Sequence, residues 1–104
     1  MSRKPAAKDR MPPESEASLL AKVTQTALLL GYKVYHTWRS DHSESGFPDL
    51  VMVKGTRLII WELKRDDGKI SQAQKAWLTA LEDVETVIAG CVRPGDWENI
   101  VETL

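Results

Sequence analysis

The chain has 104 residues, 42% of them apolar and 28% charged, with a formal net charge of −1. That is the profile of one globular domain with a modest core, not of a basic nucleic-acid-binding protein, and no apolar run nears the ~20 residues that span a bilayer. A single cysteine, Cys91, rules out an internal disulfide and fits a reducing, intracellular setting. With only two histidines it also leaves too few ligands for a closed structural zinc site.

Residues 1–13 read as a flexible basic arm. They carry Pro5, Pro12 and Pro13, show no apolar periodicity, and have no apolar stretch of the kind a secretory signal needs. Arg3, Lys4, Lys8 and Arg10 against Asp9 make the first ten residues +3, while residues from Glu82 onward sum to −5. A basic arm of this kind can touch phosphates or simply be solvated. The folded domain is expected over residues 14–104. Apolar residues at Leu19, Leu20, Val23, Ala27 and Leu30 predict a helix from about Glu14 to Leu30, with Gly31 as its C-terminal cap.

Tyr32–Trp38 reads as a strand and the polar stretch from Arg39 to Phe47 as a loop. Asp49–Val53 reads as a second strand. Lys54-Gly55-Thr56 is too short for a crossover, so Asp49–Val53 and Arg57–Lys64 should form an antiparallel hairpin. The apolar run Leu58-Ile59-Ile60-Trp61 predicts a central strand covered on both faces. Ser71 opens a helix to about Leu81, with Ala73, Ala76, Trp77, Ala80 and Leu81 as its inner stripe. Glu85–Val92 is the fourth strand, and Asp96 should cap a short last helix. The order helix, three strands, helix, strand, helix defines an α/β domain with a mixed sheet flanked by helices.

Gly46-Phe47-Pro48-Asp49 and Trp61-Glu62-Leu63-Lys64 carry the chemistry. Strand alternation puts Glu62 and Lys64 on one face with Leu58 and Ile60, while Trp61 and Leu63 face the other way. Asp49 lies about as far before the hairpin turn as Glu62 lies after it, so the two carboxylates should meet. Paired carboxylates repel and need a positive partner. Lys64 is one and a hard divalent cation is another, since magnesium is commonly held by one or two carboxylates with water and phosphate. Taken singly, Glu-x-Lys is an ordinary surface ion pair and Pro-Asp an ordinary turn. Placed together at the end of so apolar a strand, they demand compensation.

Pro48-Asp49 with Glu62-Leu63-Lys64 resembles the PD-(D/E)XK nuclease signature. Ser15-Glu16, Gly46-Phe47-Pro48-Asp49-Leu50, Gly68-Lys69-Ile70-Ser71 and Gln74, in that order around it, are similar to the VRR-NUC family over roughly residues 14–97. The resemblance implies a restriction-endonuclease-like fold of the stand-alone bacterial or phage type, working in the cytoplasm of a bacterial or phage-infected cell. It implies a deoxyribonuclease using Mg2+, with Mn2+ as a substitute, selective for branched DNA such as Holliday junctions. A homodimer is expected because symmetric cuts need two sites. Asp49, Glu62 and the Leu63 carbonyl would bind the metal, Glu16 would reach it directly or through water, and Lys64 would be the catalytic lysine. Gln74 would match a family glutamine near the active site.

Two of these positions also have structural explanations. An acidic residue such as Glu16 is favoured in a helix first turn, and Gln74 three residues after Ser71 forms a capping-box pattern. A non-catalytic DNA-binding or interaction module that keeps the nuclease fold is the competing reading. His36 and His42 are read as surface or DNA-facing, Trp61 and Trp77 as core, and Trp97 as packing the last helix. Arg39, Lys54, Arg65, Lys69 and Lys75 surround the expected site and are read either as phosphate contacts or, with at least equal weight, as solvated surface charges.

Overall fold

The computed structural model describes residues 14–37 and 44–104. The expected arm at 1–13, Trp38, Arg39 and His42 lie outside the described residues.

Helix α1 (Glu16–Leu29) starts where the Ser15 side chain accepts a hydrogen bond from Ser18 N–H. It ends in a Schellman arrangement: Gly31 N–H donates to Leu28 C=O, Tyr32 N–H donates to Ala27 C=O, and Gly31 sits at φ +95°. The cap was foreseen, but Leu30 was not placed correctly. The helix stops before it and leaves it 41% exposed, so the buried stripe is Leu19, Val23 and Ala27.

Strands β1 (Lys33–His36), β2 (Leu50–Lys54) and β3 (Arg57–Leu63) follow. The first strand is shorter than the sequence suggests, since Tyr32 is already buried beneath the helix end and not in the ladder. β2 and β3 are antiparallel, joined by Gly55-Thr56 between the paired Lys54 and Arg57. Gly55 takes φ +58° and Thr56 does not turn positive, as a type II′ hairpin requires. Helix α2 (Gln72–Glu82) then crosses to β4 (Val87–Val92), which lies parallel to β3. A 3-10 turn at Pro94–Asp96 leads into α3 (Trp97–Thr103).

The sheet order is β1-β2-β3-β4. This mixed sheet flanked by helices matches the expected fold class and is compatible with a restriction-endonuclease-like fold. Leu50, Met52, Ile59, Trp61, Leu63 and Val92 join the main core with Leu19, Val23 and Ala27 of α1 and Ile100 of α3. β3 is central and buried from Ile59 to Leu63, as its apolar run predicts. Among the described residues no helix is long and apolar enough to cross a membrane.

Three local expectations need correction. The inner face of α2 is turned relative to the predicted stripe: Ala73, Trp77 and Leu81 are half-buried, but Leu78 is buried and Ala76 and Ala80 are exposed, because the helix packs through Ala73 against Gly46 and through Trp77 against Phe47. β4 begins at Val87 because Val87 N–H bonds back to Val84 C=O in a turn. Asp96 makes no side-chain cap on α3; its Oδ2 instead accepts from Arg93 N–H at 2.9 Å and closes the preceding turn.

The last helix completes the core. Ile100 is 1% exposed, Lys22 lies 4.3 Å from the centre of the Trp97 ring, Arg57 donates to Thr103 C=O, and Tyr32 Oη donates to Leu104 C=O. Ile100→Ala should therefore cost about 2–5 kcal/mol of stability in a urea titration. A loss below about 0.5 kcal/mol, the scale of an ordinary surface change, would show that α3 is not part of the core.

Candidate active site

The β2–β3 ladder pairs Leu50 with Trp61. One step further along each strand come Asp49 and Glu62, so the register itself brings the two carboxylates together. The β2 strand ends before Asp49, and its side chain replaces the missing backbone partner: Asp49 Oδ2 accepts from Leu63 N–H at 2.9 Å. The backbone approach is tied down from β1, where Thr37 N–H donates to Asp49 C=O and Thr37 Oγ1 donates to Pro48 C=O at 2.8 Å. The N–H and C=O of a residue in an extended strand point to the same side, so the Leu63 carbonyl faces Asp49.

Gly46 fixes the loop that delivers Asp49. Its φ is +86°, and a Cβ there would lie 2.5 Å from the Ala73 carbonyl carbon of α2. Glycine is required both by the backbone angle and by the close approach. Phe47 then packs edge-on against Trp77, with ring centres 5.0 Å apart.

Glu62 is 1% exposed. Its Oε2 accepts from Gln74 Nε2 at 3.0 Å and lies 3.7 Å from Lys64 Nζ, an ion pair too long for a hydrogen bond. Its Oε1 is buried and has no hydrogen-bond partner among the described residues. Burial pushes the Glu62 pKa from 4.5 to about 7. The Asp49 charge adds to the rise, as do a hydrogen bond to Asp49 that only the protonated form can donate and the charge of Glu16, while Lys64 opposes it.

Gln74 serves two purposes at once. Its Oε1 accepts from Ser71 N–H while Ser71 Oγ accepts from Gln74 N–H, completing the capping box, and its amide nitrogen is left to hold Glu62. Neither explanation of this residue from sequence displaces the other. Lys64 is held by its own backbone, since Lys64 N–H donates to Val92 C=O. Arg93 secures the loop beyond it, with Nη1 donating to the carbonyls of Arg65 at 2.6 Å and Gly68 at 2.8 Å.

Glu16 and Asp49 line one pocket of about 130 Å3 with Ala17, Leu20, His36 and Leu63. The structure thus gathers Asp49, Glu62, Lys64 and Gln74 through contacts, and sets Glu16 across the pocket from the strand ends. Among the described residues no three His, Cys, Asp or Glu side chains are grouped closely enough to cage an ion by themselves.

Of the candidate phosphate contacts, Lys54 is misplaced. It sits at the hairpin turn, at the far end of β2 from Asp49, with its amine 5.5 Å from the Tyr32 ring centre. Arg65 is engaged by Asp67 at 3.1 Å. Cys91 is a position that sequence reasoning passed over, and His36, read from sequence as surface or DNA-facing, was not assigned to the pocket. His36 lies in the pocket, and Cys91 is the β4 residue in register with Glu62. Neither carries a motif, and only the strand pairing reveals them.

The raised Glu62 pKa has a signed consequence for the metal-free protein. Below pH 4.5 the group is protonated folded or unfolded and its contribution is unchanged. Between pH 4.5 and about 7 the unfolded chain has released the proton while the folded one still holds it, so stability falls across that window by roughly 3 kcal/mol and levels off above it. Glu62→Gln should remove this loss. Relative to wild type, the variant should gain stability between pH 4.5 and pH 8 in urea titrations run with EDTA. The same wild-type-to-variant difference at both pH values would show that Glu62 titrates normally.

A family model for the VRR-NUC domain matches residues 9–92. It begins five residues before the boundary expected at residue 14 and stops at the last residue of β4, short of α3. Comparison with curated proteins finds no significant match, and comparison with solved structures finds none. With 84 of 104 residues matched, this chain belongs to the VRR-NUC family and is a DNA-acting nuclease domain of the PD-(D/E)XK type.

Proposed function

We propose that this domain is a magnesium-dependent DNA endonuclease, with manganese as a substitute, that cuts branched DNA such as four-way junctions as a homodimer. The observation that carries the metal is the orphaned Glu62 Oε1. An unpaired buried carboxylate oxygen beside a second carboxylate is costly, and a hard cation removes the cost. The donor set suits such an ion: two carboxylates, Asp49 and Glu62, the Leu63 carbonyl, and Glu16 across a pocket roomy enough for bound water. When bound, the ion supplies an acidified water and charge neutralisation at the phosphate.

The chain's own residues do the remainder. Lys64, 11% exposed and oriented by Val92, places an ammonium where it can hold the attacking water or offset charge growing on a phosphate oxygen. Gln74 fixes which Glu62 oxygen faces the helix and leaves the other for the ion. Asp49 is held by Leu63 N–H so that its second oxygen can share the same ion. A module that only binds DNA has no use for a carboxylate pair buried at this expense, which disfavours the competing reading. Branch selectivity and dimerisation rest on the family resemblance and on the need for two cuts where one chain supplies one site.

Supercoiled, linear and four-way-junction DNA incubated with Mg2+, Mn2+ or EDTA would test the assignment. Cleavage should require the metal, and Asp49→Asn and Lys64→Ala should each lower the rate about a hundredfold or more. Cleavage that survives EDTA or both substitutions would reject the site, and binding without cleavage under either metal would favour the binding module. Sedimentation velocity at assay concentration should give twice the chain mass. A strict monomer that still cuts both sides of a junction would refute the dimer.

A further inference from the structure

We propose that His36 is a positioning residue for the substrate, donating a hydrogen bond to a DNA phosphate oxygen as the backbone enters the pocket beside Asp49. The proposal rests on the nuclease reading above and adds to it a residue outside the motif. His36 is the last residue of β1 and pairs with Leu50, the residue after Asp49. Val34, two positions earlier on the same face, packs against the core under α1, so alternation turns the His36 side chain toward α1 as well. Tyr35 between them points the other way and is 59% exposed. His36 thereby reaches the pocket that holds Glu16 and Asp49.

The chemistry of that pocket gives the imidazole its role. The side chains lining it are Glu16, Ala17, Leu20, His36, Asp49 and Leu63. Two are carboxylates and three are apolar. Among these lining residues the imidazole is the only side chain able to donate a hydrogen bond. A phosphodiester approaching this wall meets two negative groups, and His36 is the point at which the side chains can favour it. Its backbone is stiffly held, because the next residue, Thr37, bonds through both its N–H and its hydroxyl to Asp49 and Pro48. The imidazole has two side-chain torsions and no flexible stem, so its donor is set relative to Asp49 at low entropic cost.

The test uses the full chain and a fluorescein-labelled four-way junction. Binding is measured with Ca2+ in place of Mg2+, and cleavage is measured separately with Mg2+. His36→Ala should weaken binding and raise KM by about ten- to a hundredfold, the worth of one hydrogen bond to a charged group. It should change kcat less than threefold. His36→Gln, which keeps an N–H donor, should recover most of the binding. Unchanged binding and KM in His36→Ala, or a fall in kcat with binding intact, would overturn the proposal. So would failure of His36→Gln to improve on His36→Ala. Wild-type protein that neither binds nor cuts the junction would instead overturn the nuclease reading on which the proposal stands.

Discussion

The arrangement of this domain turns on burying one carboxylate, that of Glu62, at the end of its most apolar strand. β3 is covered from Ile59 onward, and Glu62 shares that burial without a full set of partners. A charged group in such a place is tolerated only when nearby groups offset its desolvation. Gln74 and Lys64 offset part of it, while Asp49 makes it worse by adding a second negative charge. The raised pKa of Glu62 is the signature of that shortfall. Structural ion pairs relieve strain of this kind; here part of it is left in place, a pattern that clusters at functional sites.

The surrounding fold holds the cluster in position through contacts that are individually modest. Gly46 lets the loop before Asp49 run against α2, and the capping box at Ser71 sets the first turn of the same helix. One helix terminus therefore positions both partners: Asp49 through the loop that packs on it, and Glu62 through Gln74. Arg93 reaches back from the end of β4 to the carbonyls of Arg65 and Gly68, closing the loop that follows Lys64. A small domain has little stability to spare, and doubling the duties of Gln74 and of the α2 N-terminus is an economical way to keep the four side chains of the candidate site in register.

Much of the site was legible before any coordinates. The count of residues on either side of Gly55 placed Asp49 opposite Glu62, and the β2–β3 register agrees with that count. Strand alternation put Glu62 and Lys64 on one face, and the Ser71–Gln74 spacing announced the capping box. These succeed because they depend on local periodicity, which is fixed by backbone geometry. The misjudged positions have a different character. Lys54 carries the right charge but lies at the wrong end of its strand, and Ala76 and Ala80 of α2 fit the helical period yet are exposed. Charge and apolar spacing do not reveal which end or which side of an element meets the rest of the chain.

The sequence by itself determined the element order, the hairpin, the caps at Gly31 and Ser71 and the carboxylate–lysine cluster, because each follows from turn chemistry and short-range spacing. Only the tertiary structure decided that Glu62 keeps one oxygen unpaired, that Gln74 reaches it, and that Glu16 and His36 share a pocket with Asp49. Those facts join α1, β1, β3 and α2, which are far apart along the chain. Contacts of that kind depend on how the elements pack, and no local pattern encodes them.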